Sequence, residues 1–177
     1  MRLFIAADLP LELMDALAET SALLREQVKG RYSSPDSFHL TLAFLGETPA
    51  GRIPEIEDAL ERCGASHSPI DVCLGDLGSF GRKREATLWQ GFKDPAPLEH
   101  LARDLRKDLE SIGIPFDNKT PKAHITLMRK ADLSQGLLPA PCIARGTITQ
   151  MTLYQSELLA QGALHTPLHT VSLNPSC

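Results

Sequence analysis

Two short stretches hold the residues best suited to chemistry, Phe38-His39-Leu40-Thr41-Leu42 and Ala123-His124-Ile125-Thr126-Leu127. Each sets an imidazole two residues before a hydroxyl, with an apolar residue between them and a leucine straight after. Side chains on a strand alternate faces with period two, so His39 and Thr41 project together, as do His124 and Thr126. Phe38, Leu40, Leu42 and Phe44 would then face a core, as would Ile125 and Leu127. A lone histidine on a half-buried strand is ordinarily structural, and threonine is simply a good strand former. Two copies in matching surroundings point instead to one shared site.

Imidazole titrates near neutrality, so of two such groups one can be protonated while the other is neutral. That is a general acid and a general base. Two threonine hydroxyls are short neutral donors that can hold the non-bridging oxygens of a phosphate. The chain has no Gly-x-Ser-x-Gly nucleophile turn. Its cysteines, Cys63, Cys73, Cys142 and Cys177, lack Cys-x-x-Cys spacing and read as incidental thiols of a reducing compartment, Cys177 exposed at the end of the chain. Two histidines could bind a metal, but no carboxylate set stands at ligand spacing beside them. Metal-independent, cofactor-free cleavage of a phosphodiester fits best.

These motifs need elements to position them. Arg2 to Ala7 reads as a strand, with Asp8 as the N-cap of a helix whose first turn holds Pro10. Leu13, Met14, Leu17, Leu24 and Val28 share one face of that helix, which Gly30 ends. A strand over 38–45 follows, then a shorter amphipathic helix through Ile53, Ile56, Leu60 and Cys63. Strands at 70–77 and 86–92 pair, and a third helix carries Leu98, Leu101, Leu105, Leu109 and Ile112. Further strands fall at 123–128, 143–148, 151–156 and 168–173. Strands and helices mix without strict alternation, so the fold class is α+β with mainly antiparallel sheet. A helix, a proline-containing loop and a His-x-Thr strand occur twice in that order. This implies two pseudo-symmetric lobes with flanking helices around a central cleft, each lobe giving one motif strand.

The chain has 177 residues and 19.3 kDa, enough for a single domain of two intertwined lobes over 1–177. The formal charge of -4 and pI near 5.8 exclude a protein that coats long stretches of nucleic acid. Contact with nucleic acid must be local, at an end or a single phosphate. No apolar run is long enough to cross a bilayer and the N-terminus lacks a signal-peptide pattern, so the expected location is the cytoplasm. Arg82-Lys83-Arg84 reads as a solvated hairpin loop that could also meet a nucleic-acid backbone. Phe4, Phe80, Trp89 and Tyr154 could stack a terminal base, though core packing explains most such rings. His67, His100, His165 and His169 lie outside any motif and read as ordinary surface or structural residues.

Four segments resemble the 2H phosphoesterase superfamily, and within it the RNA 2′,3′-cyclic phosphodiesterase branch, also called 2′-5′ RNA ligase-like. They are Arg2 to Ala6, Phe38 to Glu47, Pro121 to Arg129 and Leu153 to Glu157. The resemblance implies a bilobal α+β fold with His39 as proton donor, His124 as proton acceptor, and Thr41 and Thr126 holding phosphate. It also places Arg129 near the phosphate. Arg129 lies an odd number of residues from His124, so a bulge, a strand end or a long curled side chain must bring it to the cleft. The implied partners are RNA 3′ ends, tRNA halves or small cyclic nucleotides bearing a 2′,3′-cyclic phosphate, met by a monomer that touches no membrane. The implied activity is hydrolysis to a 2′-phosphate, reversible as 2′-5′ ligation. The alternatives are a 2H enzyme for another small cyclic nucleotide or ADP-ribose cyclic phosphate, and a non-catalytic RNA-end binder.

Overall fold

A computed structural model describes residues 1–174, so the expectation for Cys177 lies outside the described residues. Its element order is β1 (Arg2–Ala7), α1 (Leu11–Arg25), β2 (Arg31–Tyr32), β3 (Leu40–Glu47) and α2 (Ile53–Ala65). Then follow β4 (Ile70–Phe80), β5 (Ala86–Phe92), α3 (Ala96–Ser111), β6 (Ile125–Ala131), β7 (Arg145–Ile148), β8 (Gln150–Leu159) and β9 (Gly162–Ser172). Two antiparallel sheets result, β3-β1-β8-β9 and β2-β6-β5-β4-β7. The fold is α+β, and each sheet carries one His-x-Thr segment. No helix among the described residues is long and apolar enough to cross a membrane.

The elements follow from apolar periodicity. Leu13, Leu17 and Leu24 on α1, Ile56 and Leu60 on α2, and Leu101, Leu105 and Leu109 on α3 are all fully buried. Helix α3 lies against β3, α2 against β8 and β9, and α1 against β7, so one apolar core runs behind both sheets. Cys63 is part of it, and burial pushes its thiol up to about 12, which leaves it inert. Cys63, Cys73 and Cys142 are free thiols.

Several boundaries differ from the sequence expectation. Pro10, not Asp8, caps α1, because the Asp8 carboxylate accepts hydrogen bonds from Thr152 Oγ1 at 2.6 Å and Tyr154 Oη at 2.7 Å. The helix ends at Arg25 rather than running to Gly30, although Val28 is still buried. The two-residue strand β2 was not expected; it pairs Arg31 with Arg129 and Tyr32 with Met128. Arg82, Lys83 and Arg84 form an exposed turn, as a solvated loop would.

The departures that matter most are two bulges. On β3, Ala43 pairs with Ile5 and Thr41 with Ala6, leaving Leu42 as an extra residue. On β6, Met128 pairs with Leu88 and Thr126 with Trp89, leaving Leu127 extra. Both bulges fall on the leucine straight after the motif threonine, so the internal echo extends to backbone irregularities. A bulge reverses the alternation beyond it. Phe44, expected in the core, therefore stands half-buried with the Arg2 guanidinium 5.2 Å over its ring, while Leu45 is buried instead.

Arg106 on α3 stabilises the first bulge. Its Nε donates to the Leu42 carbonyl at 2.9 Å and its Nη1 to the Lys119 carbonyl at 2.6 Å. One guanidinium thus ties the strand of the first motif to the loop that leads into the second. Asp117 N donates to the Phe44 carbonyl at 2.9 Å and fastens the same loop to β3.

Candidate active site

His39 and His124 each occupy the residue just before a strand begins, since both strands start two residues later than the expected 38 and 123. There the backbone has left the ladder and can turn back on the side chain. His39 Nδ1 lies 2.7 Å from the Ser37 carbonyl, and His124 Nδ1 lies 2.5 Å from the Lys122 carbonyl. A carbonyl only accepts, so each Nδ1 carries the proton and each Nε2 is the nitrogen left for chemistry. Neither Nε2 has a hydrogen-bond partner among the described residues. The Thr41 and Thr126 hydroxyls are likewise without protein partners there, and both residues are half-buried.

The two segments converge on shared charge. Arg129 lowers the pKa of both imidazoles, and His39 feels His124 as well. The β6 bulge accounts for this placement. With Leu127 as the extra residue, itself still buried, Thr126 shares a face with its partner Trp89, Met128 turns to the core, and Arg129 returns to the face of Thr126. Arg129 is exposed and makes no ion pair among the described residues.

Burial is the largest cause lowering both pKa values. His39 is pushed down to about 4; the Ser37 carbonyl opposes the shift, while His165, Arg129 and His124 add to it. His124 is lowered by burial first, against the Lys122 carbonyl, with Arg129 and Lys122 adding repulsion. The permanently charged neighbours acting on the two imidazoles, Arg129 and Lys122, are cations, and no carboxylate is among the groups that shift either one.

Aromatic rings wall each histidine. Phe4 lies 4.9 Å from His39 and stacks on Tyr154 at 5.3 Å. Tyr154 is oriented through its hydroxyl by Asp8, and burial together with that carboxylate pushes it up to about 12. Around His124 stand Phe80 at 5.1 Å and Trp89 at 5.9 Å, with Lys122 Nζ 4.6 Å over the indole. A cavity of about 220 Å³ opens beside Trp89 and Lys122. Phe4 and Trp89 are buried and support the histidine walls rather than offer an open stacking face, whereas Phe80 is exposed.

Gly78 makes room for the indole, because a Cβ there would lie 2.3 Å from Trp89 Cη2 and Cζ2. We expect Gly78→Ala to destabilise the fold by about 1–3 kcal/mol in chemical denaturation, the usual cost of overpacking. It should also reduce turnover, since the displaced ring is the one that packs beside His124.

Two groups at the site escaped sequence reasoning. His165, expected to be an ordinary residue, has its ring 5.1 Å from His39. Arg106 carried no motif signal, and only its contact with the bulge carbonyl reveals its part. No group of three or more His, Cys, Asp or Glu side chains among the described residues is arranged to hold a metal ion.

Residues 13–156 match the family model of the 2′-5′ RNA ligase superfamily. The chain belongs to that superfamily. An RNA 2′,3′-cyclic phosphodiesterase of Escherichia coli is 34% identical over 170 residues, covering 94% of this chain and 93% of that protein. A longer protein of the same name from Geobacillus stearothermophilus is 33% identical over 129 residues, 72% of this chain and 41% of its own length. Escherichia coli LigT complexed with 3′-AMP superposes with a TM-score of 0.82 at 30% identity, over 97% of each chain. This member of the superfamily thus shares its fold with a protein that binds a nucleoside monophosphate.

Proposed function

We propose that the chain hydrolyses RNA ends bearing a 2′,3′-cyclic phosphate to 2′-phosphates, by acid–base catalysis between two histidines. The observation that carries this reading is the matched pair of imidazoles. Each is locked through Nδ1 to a carbonyl, each has Nε2 free, and they come from different sheets under the field of one arginine. His124, neutral, takes a proton from water through Nε2 as the oxygen attacks phosphorus. His39, protonated, gives its Nε2 proton to the departing 3′ oxygen on the opposite side. Thr41, Thr126 and Arg129 hold the non-bridging oxygens as negative charge grows on them. Each proton transfer is worth about 10²- to 10⁴-fold, so the pair lowers the barrier by about 5–11 kcal/mol.

The substrate class rests on the names of the relatives together with this geometry. RNA 3′ ends, tRNA halves and small cyclic nucleotides with the same phosphate all meet the requirements of the reacting centre. With a 5′ hydroxyl in place of water as the nucleophile, the same groups carry out the same displacement: His124 takes the hydroxyl proton, His39 protonates the departing 3′ oxygen, and a 2′-5′ linkage forms.

Phosphorus NMR on a dinucleotide with a 2′,3′-cyclic end tests the reading. The expected product is the 2′-phosphate, formed at an undiminished rate in excess EDTA. A dominant 3′-phosphate would mean that the two histidine roles are exchanged or that the substrate binds flipped. Loss of activity in EDTA that Mg²⁺ or Zn²⁺ restores would replace acid–base catalysis with metal catalysis.

A further inference from the structure

His165 is an imidazole that the proposed mechanism does not use. It stands on β9 opposite Ser156 of β8, one strand beyond Tyr154 and at the far edge of the sheet from β3. Its ring nevertheless lies 4.9 Å from Phe4 and 5.1 Å from His39, edge-on to both at 71° and 80°. The β8–β9 hairpin therefore curls over the sheet and closes the His39 side of the cleft.

The other groups on that wall are committed. Phe4 is 3% exposed, the Tyr154 hydroxyl donates to Asp8, and His39 Nδ1 is held by Ser37. His165 is half-buried, and neither of its ring nitrogens has a hydrogen-bond partner among the described residues. Burial lowers its pKa, so near pH 7 it is neutral and can offer one donor and one acceptor.

If His39 protonates the 3′ oxygen, as proposed above, the ribose bearing that oxygen must lie against this wall. We propose that His165 is a substrate-contacting residue that holds the terminal nucleoside of the RNA end on the leaving-oxygen side of the site. Resting on the acid assignment of His39, it gives the C-terminal hairpin a part in choosing nucleotide over simple phosphate ligands. The phosphate itself lies with Thr41, Thr126 and Arg129, out of this contact.

Inhibition constants for 2′-AMP and for inorganic phosphate, measured on wild type, His165→Phe and His165→Gln, test it. Phenylalanine keeps a ring against Phe4 and His39 but removes both nitrogens. The expected result is about tenfold weaker inhibition by 2′-AMP with less than a twofold change for phosphate, a loss on the scale of one hydrogen bond. Glutamine should recover most of it. With adenosine 2′,3′-cyclic phosphate as substrate, the loss in kcat/KM should fall mainly on KM. Equal weakening of both anions, or none, would overturn the proposal, since a purely structural ring disturbs His39 and hence both ligands. Turnover that survives His39→Ala would instead remove the acid assignment and the nucleoside placement with it, whatever the inhibition constants show.

Discussion

His39→Ala and His124→Ala are each expected to lower kcat by about 10³-fold or more, near the middle of what one positioned proton-transfer group supplies. The double variant should lose far less than the product of the two. Once one proton path is gone, the displacement no longer proceeds as a concerted exchange, and the second histidine has little left to contribute. The structure makes the two losses comparable, because the groups are built alike: one carbonyl on Nδ1, one free Nε2, one threonine two residues on. Thr41→Ala or Thr126→Ala should cost less, about 1.5–3 kcal/mol for one hydrogen bond to a charged group. Steady-state and single-turnover kinetics on a cyclic-phosphate dinucleotide measure all five variants. A single histidine variant that keeps most of its activity would make that residue structural and end the paired-imidazole mechanism.

How much of this site could be read from residue order depends on how local each cause is. The His-x-Thr pairs, the helix faces and the pairing of β4 with β5 rest on periodicities of a few residues, and they emerge close to where the pattern puts them. The face of Arg129 does not. It turns on one extra residue at Leu127, which nothing in Ile-Thr-Leu-Met-Arg announces and which only the register against Leu88 and Trp89 reveals. Phe44 shows the same failure from the other side: the alternation is sound up to Thr41 and reversed after Leu42. Asp8 had a good local reason to cap α1, and two hydroxyls nearly the whole chain away outcompeted it. His165 lies 126 residues from His39 (165 − 39) and reaches it only through the curl of a hairpin. Tertiary register and hairpin curvature are set by packing across the whole sheet, so a local window cannot carry them.

The free protein should bind protons in a way that opposes its own chemistry until an anion arrives. With His39 held at about 4, the required pairing of a protonated His39 with a neutral His124 is a population of roughly one in 10³ at pH 7. A phosphodiester anion between the two imidazoles supplies a negative charge and raises the pKa of His39. Accordingly, kcat/KM should fall with rising pH through neutrality, whereas kcat should hold level to higher pH. Calorimetry in buffers of different ionisation enthalpy should show proton uptake when 2′-AMP binds near neutrality, with affinity rising as pH falls from 8 to 6. Folding stability should respond as well. His39 has a lower pKa folded than unfolded, so between pH 6.5 and 4 the unfolded chain binds the extra proton. Stability from this group is complete above 6.5 and is lost as pH falls toward 4, by about 3 kcal/mol. His39→Gln should flatten that decline, and phosphate should reduce it in the wild type. A kcat/KM that climbs through neutrality to pH 9 would mean His39 is not the acid in the free protein.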